Sequence, residues 1–215
     1  MKSDSHSQPK GSYSMNAKFF DLKKEKQDRM INAALKIFAL NGYSHASTDE
    51  IVKEAHISKG LLFHYFESKI GVYSFLADYS AKYFALELSS AIDVMERDYF
   101  KIKKMVELAK MQTMKTYPFM LFFINTMKKE THPEAVNATK DQKIQYENAI
   151  GTVYARAEAE SFEGPNSDAY LKMLDLTLEA LTEDHLRDES FNAESQYKEN
   201  VSYIDVIAGL FKKES

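Results

Sequence analysis

The residues of the 215-residue chain whose types and spacing suit a specific chemistry are concentrated in residues 47–69, which read STDEIVKEAHISKGLLFHYFESK. Ser47 and Ser58 each precede a short stretch with apolar residues at helical spacing, and a serine hydroxyl can cap the free amides at the start of a helix. The segment therefore predicts two short helices separated by about three residues. This arrangement is a helix-turn-helix, in which the first helix crosses the DNA backbone and the second lies in the major groove.

The second of these helices is predicted to have an inner and an outer side. Leu62 and Phe66, four residues apart, are predicted to point inward. On the outer side, Leu61 can contact a thymine methyl group, His64 can donate to a guanine or thymine acceptor, and Gly60 lets the backbone approach closely. The side chains predicted to project outward are Lys59, Leu61, His64 and Tyr65. The groups predicted to contact phosphates are those of Ser47, Thr48, Ser58, Lys59, Tyr65 and Lys69.

Several common kinds of catalytic site are absent from the sequence. There is no cysteine, which excludes a thiolate metal site and a cysteine nucleophile. The seven glycines are never closer than eleven residues, which excludes the glycine-rich loops that bind nucleotide phosphates. The six histidines are never three or four residues apart, so no helix face offers paired imidazole ligands. We therefore expect neither an enzyme nor a metal site nor a cofactor.

Composition and charge are those of a soluble globular protein. Apolar residues make up 44% and charged residues 28% of the chain, and no apolar run approaches the roughly 18 residues of a membrane helix. The formal net charge is −4, but residues 1–69 carry 11 basic and 8 acidic groups, against 17 and 24 in residues 70–215. This modest asymmetry favours contact with a polyanion at the N-terminal part. We expect a cytoplasmic protein.

The periodicity of the chain predicts an all-α fold. Apolar residues between 31 and 38 recur at helical spacing, Gly42 follows where a left-handed helix end favours glycine, and a long helix is predicted from Ser68. No segment has the alternation of a strand. Further helices are predicted at 102–116, 118–129, 134–162, 168–186 and 197–213. The predicted divisions are a flexible leader at 1–20, in part an expression remnant before Met15, a three-helix DNA-binding bundle at 21–68, and a larger effector-binding and dimerisation domain at 69–215.

A methionine-rich stretch marks the middle of the larger domain. Its apolar residues fall on more than one helix face, which a single packing seam does not require. Two interpretations remain open: a buried core, or a cavity lined by thioethers and aromatic rings that would suit an apolar or aromatic ligand. The residues assigned to such a cavity are Met105, Met111, Met114, Tyr117, Met120, Phe123 and Met127.

The last two predicted helices are each apolar on two faces. A continuous apolar stripe runs along each helix, while Met173 and Leu176 in the first helix and Leu210 in the second lie off the stripe. A helix with two apolar faces needs two partners, its own core and a second surface. We predict that the stripes pair with a symmetry-related copy as a four-helix bundle. The predicted interface residues are Leu171, Leu174, Leu178, Leu181, Val201, Ile204, Ala208 and Phe211.

The N-terminal bundle resembles that of a known family. The positions that carry the resemblance are Ala34-x3-Phe38-x3-Gly42-Tyr43, followed by Ser47-x3-Ile51-x3-Ala55-x-Ile57-Ser58-x-Gly60-x-Leu62-Phe63-x-Tyr65-Phe66-x2-Lys69. Their order and spacing, within residues 28–75, are similar to the N-terminal signature of the TetR (tetracycline repressor) family.

The resemblance implies a homodimeric transcriptional repressor that a small molecule releases from its operator. The two recognition helices would then lie in successive major grooves of a palindromic site, about 34–36 Å apart. Two positions depart from the family pattern. His56 occupies a turn position where the family usually has glycine, and a positive φ there would strain a histidine by about 1 kcal/mol. Leu61 replaces the usual small or hydroxylated residue.

Two other functions compete with DNA-binding regulation. A helical protein that binds a small molecule or a protein partner, with a degenerate helix-turn-helix, would show ligand affinity without operator binding. A helical enzyme would need a convergent acid/base pair in its cavity, and the methionine-rich stretch offers only Lys110 and Lys115 as candidates.

Overall fold

The computed structural model of the protein describes residues 18–186 and 191–211, and within these ranges it contains helices, turns and loops but no strand. The all-α prediction is therefore confirmed. In chain order the helices are α1 (Lys24–His45), α2 (Thr48–Glu54), α3 (Lys59–Phe66), α4 (Lys69–Ala91), α5 (Tyr99–Thr116), α6 (Met120–Lys129), α7 (Pro133–Tyr154), a short 3-10 turn (Ala159–Ser161), α8 (Ser167–His185) and α9 (Ala193–Gly209).

Serine caps define the helix-turn-helix and the long helix that follows it. The Ser47 hydroxyl accepts a hydrogen bond from the Asp49 amide at 3.2 Å, and the Ser58 hydroxyl accepts one from the Leu61 amide at 3.2 Å. Ser68 caps α4 in the same way. Each cap satisfies a backbone donor that has no partner within its own helix. All three predicted helix starts are confirmed.

Two turns depend on positive φ angles. Gly42 has φ 66° and ψ −179°, a conformation available essentially to glycine alone, and it interrupts α1 one turn before the helix ends. His56 has φ 51°, so the strained histidine expected between α2 and α3 is present.

Most of the predicted leader, residues 1–17, lies outside the described residues. Its last three residues, 18–20, are helical, and the Phe19 side chain is completely buried. The ring centroid of Phe19 lies 5.2 Å from that of Phe66 and 5.1 Å from that of Phe75. The prediction of a flexible leader is therefore wrong at this end, because Phe19 fills a gap between α3 and α4.

One continuous hydrophobic core joins the N-terminal bundle to the rest of the chain. Phe38 of α1 packs edge-on against Tyr73 of α4 with centroids 5.0 Å apart, and Tyr73 packs against Phe123 of α6 at 5.3 Å. Since these rings are buried in a single cluster, the helix-turn-helix has no separate core of its own within the described residues. Its orientation is consequently fixed by the larger domain.

A buried polar network connects α5 and α9. The Glu107 carboxylate is 2% exposed; it accepts hydrogen bonds from Lys110 Nζ at 2.7 Å and from Asn200 Nδ2 at 2.8 Å. Burial alone would raise the pKa of Glu107, but attraction to Lys110 and Lys103 lowers it below the ordinary value. Glu107 is therefore ionised and paired, which is the condition under which a buried charge is tolerated.

The junction between α3 and α4 leaves no room for a side chain at Gly71. A Cβ placed there would lie 1.9 Å from the Phe66 carbonyl oxygen, whereas a Cβ on Gly151 of α7 would meet no atom within 4 Å. The close contact brings the end of α3 directly against the first turn of α4.

We therefore expect Gly71→Ala to lower the free energy of unfolding by about 3 kcal/mol, because the backbone must move to accept the methyl group. Gly151→Ala is the matched control and is expected to raise it by about 0.5–1 kcal/mol, because alanine favours an exposed helix. Urea denaturation followed by circular dichroism measures both. Equal stability of Gly71→Ala and the wild type would contradict the close junction.

Candidate nucleic-acid interface

The exposed side of α3 faces away from the core of the bundle. Leu62 and Phe66 are buried, whereas Lys59, Gly60 and His64 are exposed. A Cβ on Gly60 would meet no atom of the chain within 4 Å, so the backbone there is open to close approach from outside. Leu61 is half-buried at the edge of this side and packs against the hydrophobic core.

Tyr65 does not belong to the exposed side. It is 9% exposed, and its ring packs edge-on against Phe19 with centroids 5.7 Å apart. The prediction that Tyr65 projects outward is wrong, because residues three and four positions after Leu62 share its face of a helix. The same periodicity places Phe63 beside His64, where it is only half-buried. Phe63 is thus an additional candidate for contact with DNA. The sequence did not indicate this, because an apolar residue in a helix is usually expected to be buried.

Ion pairs neutralise part of the acidic charge next to α3. Lys59 Nζ lies 2.8 Å from Asp49 Oδ1, and Lys36 Nζ lies 2.7 Å from Glu54 Oε1. The Lys59–Asp49 pair is exposed and contributes little to stability, so a phosphate can compete with Asp49 for the lysine. Lys53 in the last turn of α2 is exposed, and its ammonium group has no ion-pair or hydrogen-bond partner within the described ranges. It is a second available cation that the sequence pattern did not single out.

The predicted phosphate-contacting residues differ in how free they are. Ser47 and Ser58 use their hydroxyls as helix caps, and Thr48 begins α2. Lys69 Nζ donates to the Ser44 carbonyl oxygen at 3.3 Å and lies 4.6 Å from the centroid of the Tyr43 ring. Lys69 therefore also holds the end of α1 against α4, and a change at this position would affect the fold as well as any phosphate contact.

Polar contacts tie both ends of α1 to the larger domain. Near its start, the Tyr117 hydroxyl donates to Asp28 Oδ1 at 2.5 Å and lies 2.7 Å from the Tyr79 hydroxyl. Burial and the hydrogen bond to Asp28 raise the pKa of Tyr117 well above its ordinary value, so the phenol remains protonated. Near its end, the Tyr43 amide donates to Glu130 Oε2 at 2.8 Å. These contacts act together with the shared core to restrain the bundle.

The residues predicted to line a ligand cavity lie in the packed core of the larger domain. Met105 is half-buried and the other six are buried; these six are Met111, Met114, Tyr117, Met120, Phe123 and Met127. An open cavity of about 390 Å³ lies elsewhere, between α4 and α7, and none of the seven residues lines it. Of the two interpretations of this stretch, the structure fits the buried core, because the side chains from several helix faces fill the space between α1, α4, α5 and α6.

Part of the apolar stripe predicted to form a dimer interface packs within the chain. Leu174, Leu178 and Ile204 are buried against Phe100 in a second hydrophobic cluster. The interface assignment is therefore wrong for these three residues, because α8 and α9 use them to pack against each other and against α5, while the other five residues of the stripe are half-buried and their assignment stays a prediction. The stripe comprises Leu171, Leu174, Leu178, Leu181, Val201, Ile204, Ala208 and Phe211. The large apolar side chains left exposed on these two helices are Met173, Leu176, Tyr203, Val206 and Leu210.

Residues 30–73, which contain α2 and α3, match the family described as Bacterial regulatory proteins, tetR family. The chain is also 52% identical over 46 residues to an uncharacterised HTH-type transcriptional regulator, YuxN, of Bacillus subtilis. The matched segment is 21% of this chain and spans 16% of the length of that relative. The N-terminal segment is thus similar in sequence to the helix-turn-helix part of bacterial regulatory proteins.

Solved structures of similar fold extend the likeness to the larger domain. A TetR family transcriptional regulator from Chloroflexus aurantiacus is 18% identical, with a TM-score of 0.56, 91% of this chain covered and 94% of that chain. The regulator PfmR from Thermus thermophilus is 19% identical with a TM-score of 0.56, and the alignment covers 84% of this chain and 97% of that chain. GusR of Salmonella enterica is 17% identical with a TM-score of 0.52, and the alignment covers 89% of this chain and 96% of that chain. At these identities the likeness shows a shared fold.

Two other features are absent from residues 18–186 and 191–211. No helix there is long and apolar enough to cross a membrane. No group of three or more histidine, aspartate or glutamate side chains is placed to hold a metal ion there.

The two faces of α3 can be distinguished with neighbouring substitutions. We expect Tyr65→Ala to lower the free energy of unfolding by about 3 kcal/mol, because it removes a ring buried against Phe19. His64→Ala should change it by less than about 0.5 kcal/mol, since that side chain is exposed. Denaturant titration of the two variants provides the comparison. A larger loss for His64→Ala than for Tyr65→Ala would reverse the assignment of the faces.

Proposed function

We propose that the protein is a ligand-responsive transcriptional repressor that acts in the cytoplasm and binds a palindromic operator as a homodimer. The observation that carries the proposal is the exposed side of α3 with Lys59, Gly60 and His64, held on a bundle whose orientation is fixed by the shared core. Such a surface suits the major groove, where a recognition helix reads base edges. The residues proposed to contact DNA are Ser47, Thr48, Lys53, Ser58, Lys59, Gly60, Leu61, Phe63, His64 and Lys69.

The roles within this surface follow from chemistry and position. His64 is the candidate for a base contact, because it is exposed in the middle of α3 and its ring can donate or accept a hydrogen bond. Lys53 and Lys59 are the candidates for phosphate contacts, because both are exposed ammonium groups on the two helices of the motif. Repression follows when the occupied operator excludes the transcription machinery, and a small, largely apolar effector releases the protein by favouring a different spacing of the two α3 helices.

The exposed apolar face of α8 and α9 is the proposed dimer interface. Leu176 is 57% exposed and Val206 is 67% exposed, and Met173, Tyr203 and Leu210 accompany them on the same two helices. Large apolar side chains grouped in this way are typical of a surface that another protein covers. In a twofold dimer each helix pair would meet its own copy, which buries both faces at once. The interface would therefore lie on the opposite side of these helices from the stripe that the sequence suggested.

DNA recognition can be tested by selecting fragments bound by the wild type from a random duplex library. We expect His64→Ala to relax the base preference at one or two positions of the selected site, at a cost of about 1 kcal/mol there. Lys53→Gln should weaken binding to all sequences alike and reduce the slope of log affinity against log salt by about one. An unchanged selected sequence for His64→Ala would remove its base-reading role, and failure of the wild type to select any sequence would favour a ligand-binding protein without an operator.

The interface can be tested with single charges. Leu176→Glu and Val206→Glu should each give a folded monomer, because a carboxylate buried against a symmetry mate has no partner. Lys140→Glu on the exposed side of α7 controls for added negative charge and should leave the dimer intact. Sedimentation velocity gives the oligomeric state and circular dichroism gives the folded fraction. Dimers that persist in both variants would place the interface elsewhere.

A further inference from the structure

The cavity between α4 and α7 has two chemically different walls. On the α4 side, Leu88 and Ile92 are buried and present an apolar surface. On the α7 side, Asn148 and Thr152 lie four residues apart on one face of the helix, and Arg156 follows in the turn just after the helix ends, so the three form a polar side of the cavity. The volume of about 390 Å³ is within the range of small-molecule sites. A ligand that fits both walls must have an apolar side and a polar end.

Arg156 gives the polar wall a positive charge that forms no ion pair within residues 18–186 and 191–211. Its side chain is half-buried, and its guanidinium has no hydrogen-bond or ion-pair partner among the described residues. The other residues around the cavity include no aspartate or glutamate. In contrast, Lys103 and Lys110 in the same domain are each paired with a carboxylate. An arginine held in a cavity without an acid is chemically suited to an anion from outside.

The remaining lining residues favour an anion attached to an apolar body over an inorganic ion. Ala85, Ala149 and Val153 are small or aliphatic and add to the apolar surface of the cavity, to which Ser89 and Gln145 contribute neutral polar side chains. Val94 is 61% exposed and places a further apolar group at the rim. Burial of apolar ligand surface against these groups would supply binding energy that a free phosphate or sulfate could not obtain.

We propose that this cavity binds an organic monoanion with an apolar body, its acidic group on Arg156 and its body along Leu88 and Ile92. The assignment rests on the proposed function, since it names the chemical class of the effector. It also supplies a route to the DNA-binding surface, because α4 runs without interruption from the cavity to the close junction at Gly71. Leu88 lies about 25 Å along the helix from that junction.

The proposal can be tested with two probes that differ in charge and share a hydrocarbon chain, octanoate and 1-octanol. Isothermal titration calorimetry on the full chain at pH 7 should show one saturable octanoate site, with octanol at least about tenfold weaker, because a charge-assisted hydrogen bond accounts for the difference. Arg156→Gln should weaken octanoate at least about tenfold, to the affinity of octanol, and leave octanol unchanged. Lys140→Gln, an equal change of charge on α7, should leave octanoate binding as in the wild type.

A second variant tests the apolar wall. Ala149→Leu narrows the cavity and should weaken both probes together, with the folded state confirmed by circular dichroism. Equal affinity of the wild type for octanoate and octanol, non-saturable uptake, or an Arg156→Gln variant that still binds octanoate normally would each overturn the proposal. Calorimetry requires no DNA, so the two proposals can fail separately. Failure of DNA selection would overturn the regulator proposal, whereas the calorimetric result alone decides the ligand assignment.

Discussion

The position of the proposed recognition helix depends on one aromatic core that the N-terminal bundle shares with the larger domain. Phe38, Tyr73 and Phe123 join α1, α4 and α6 in that core, and the absence of a side chain at Gly71 brings α3 directly against α4. A packed interior has few alternative arrangements, so α3 cannot shift without a movement of α4. Because α4 also forms the apolar wall of the cavity, one helix connects the proposed ligand site with the surface proposed to read DNA.

Local features of the fold could be predicted from the sequence because they depend on neighbouring residues. The helix starts at Ser47 and Ser58 follow from side-chain capping, and the strained turn at His56 was implied by the resemblance to the TetR signature, which usually has glycine at that position. The polar hydroxyl of Tyr65 suggests an exposed position, whereas its spacing of three residues from Leu62 places it on the buried face of α3. The helical period alone would have placed it inside.

Features that depend on tertiary contacts could not be predicted in this way. Two apolar faces were visible on α8 and α9, but the sequence does not say which face meets the chain's own core, and Leu178 is buried while Leu176 is exposed. The significance of Arg156 was also hidden, because an arginine is isolated or paired according to which acids the fold brings near it. The role of the methionine-rich stretch could not be predicted for the same reason, since a helix with apolar residues on several faces can either line a cavity or fill a core.

The most direct measurement uses the absence of cysteine from the sequence. A photoactivatable cross-linker attached to His64→Cys, with Lys140→Cys as the control on α7, reports which surface lies against a selected DNA site. The account predicts cross-links from position 64 to bases in two half-sites about 10 base pairs apart, and none from position 140. Cross-links from position 140, or none from position 64 on DNA that the protein binds, would contradict the claim that the exposed side of α3 enters the major groove.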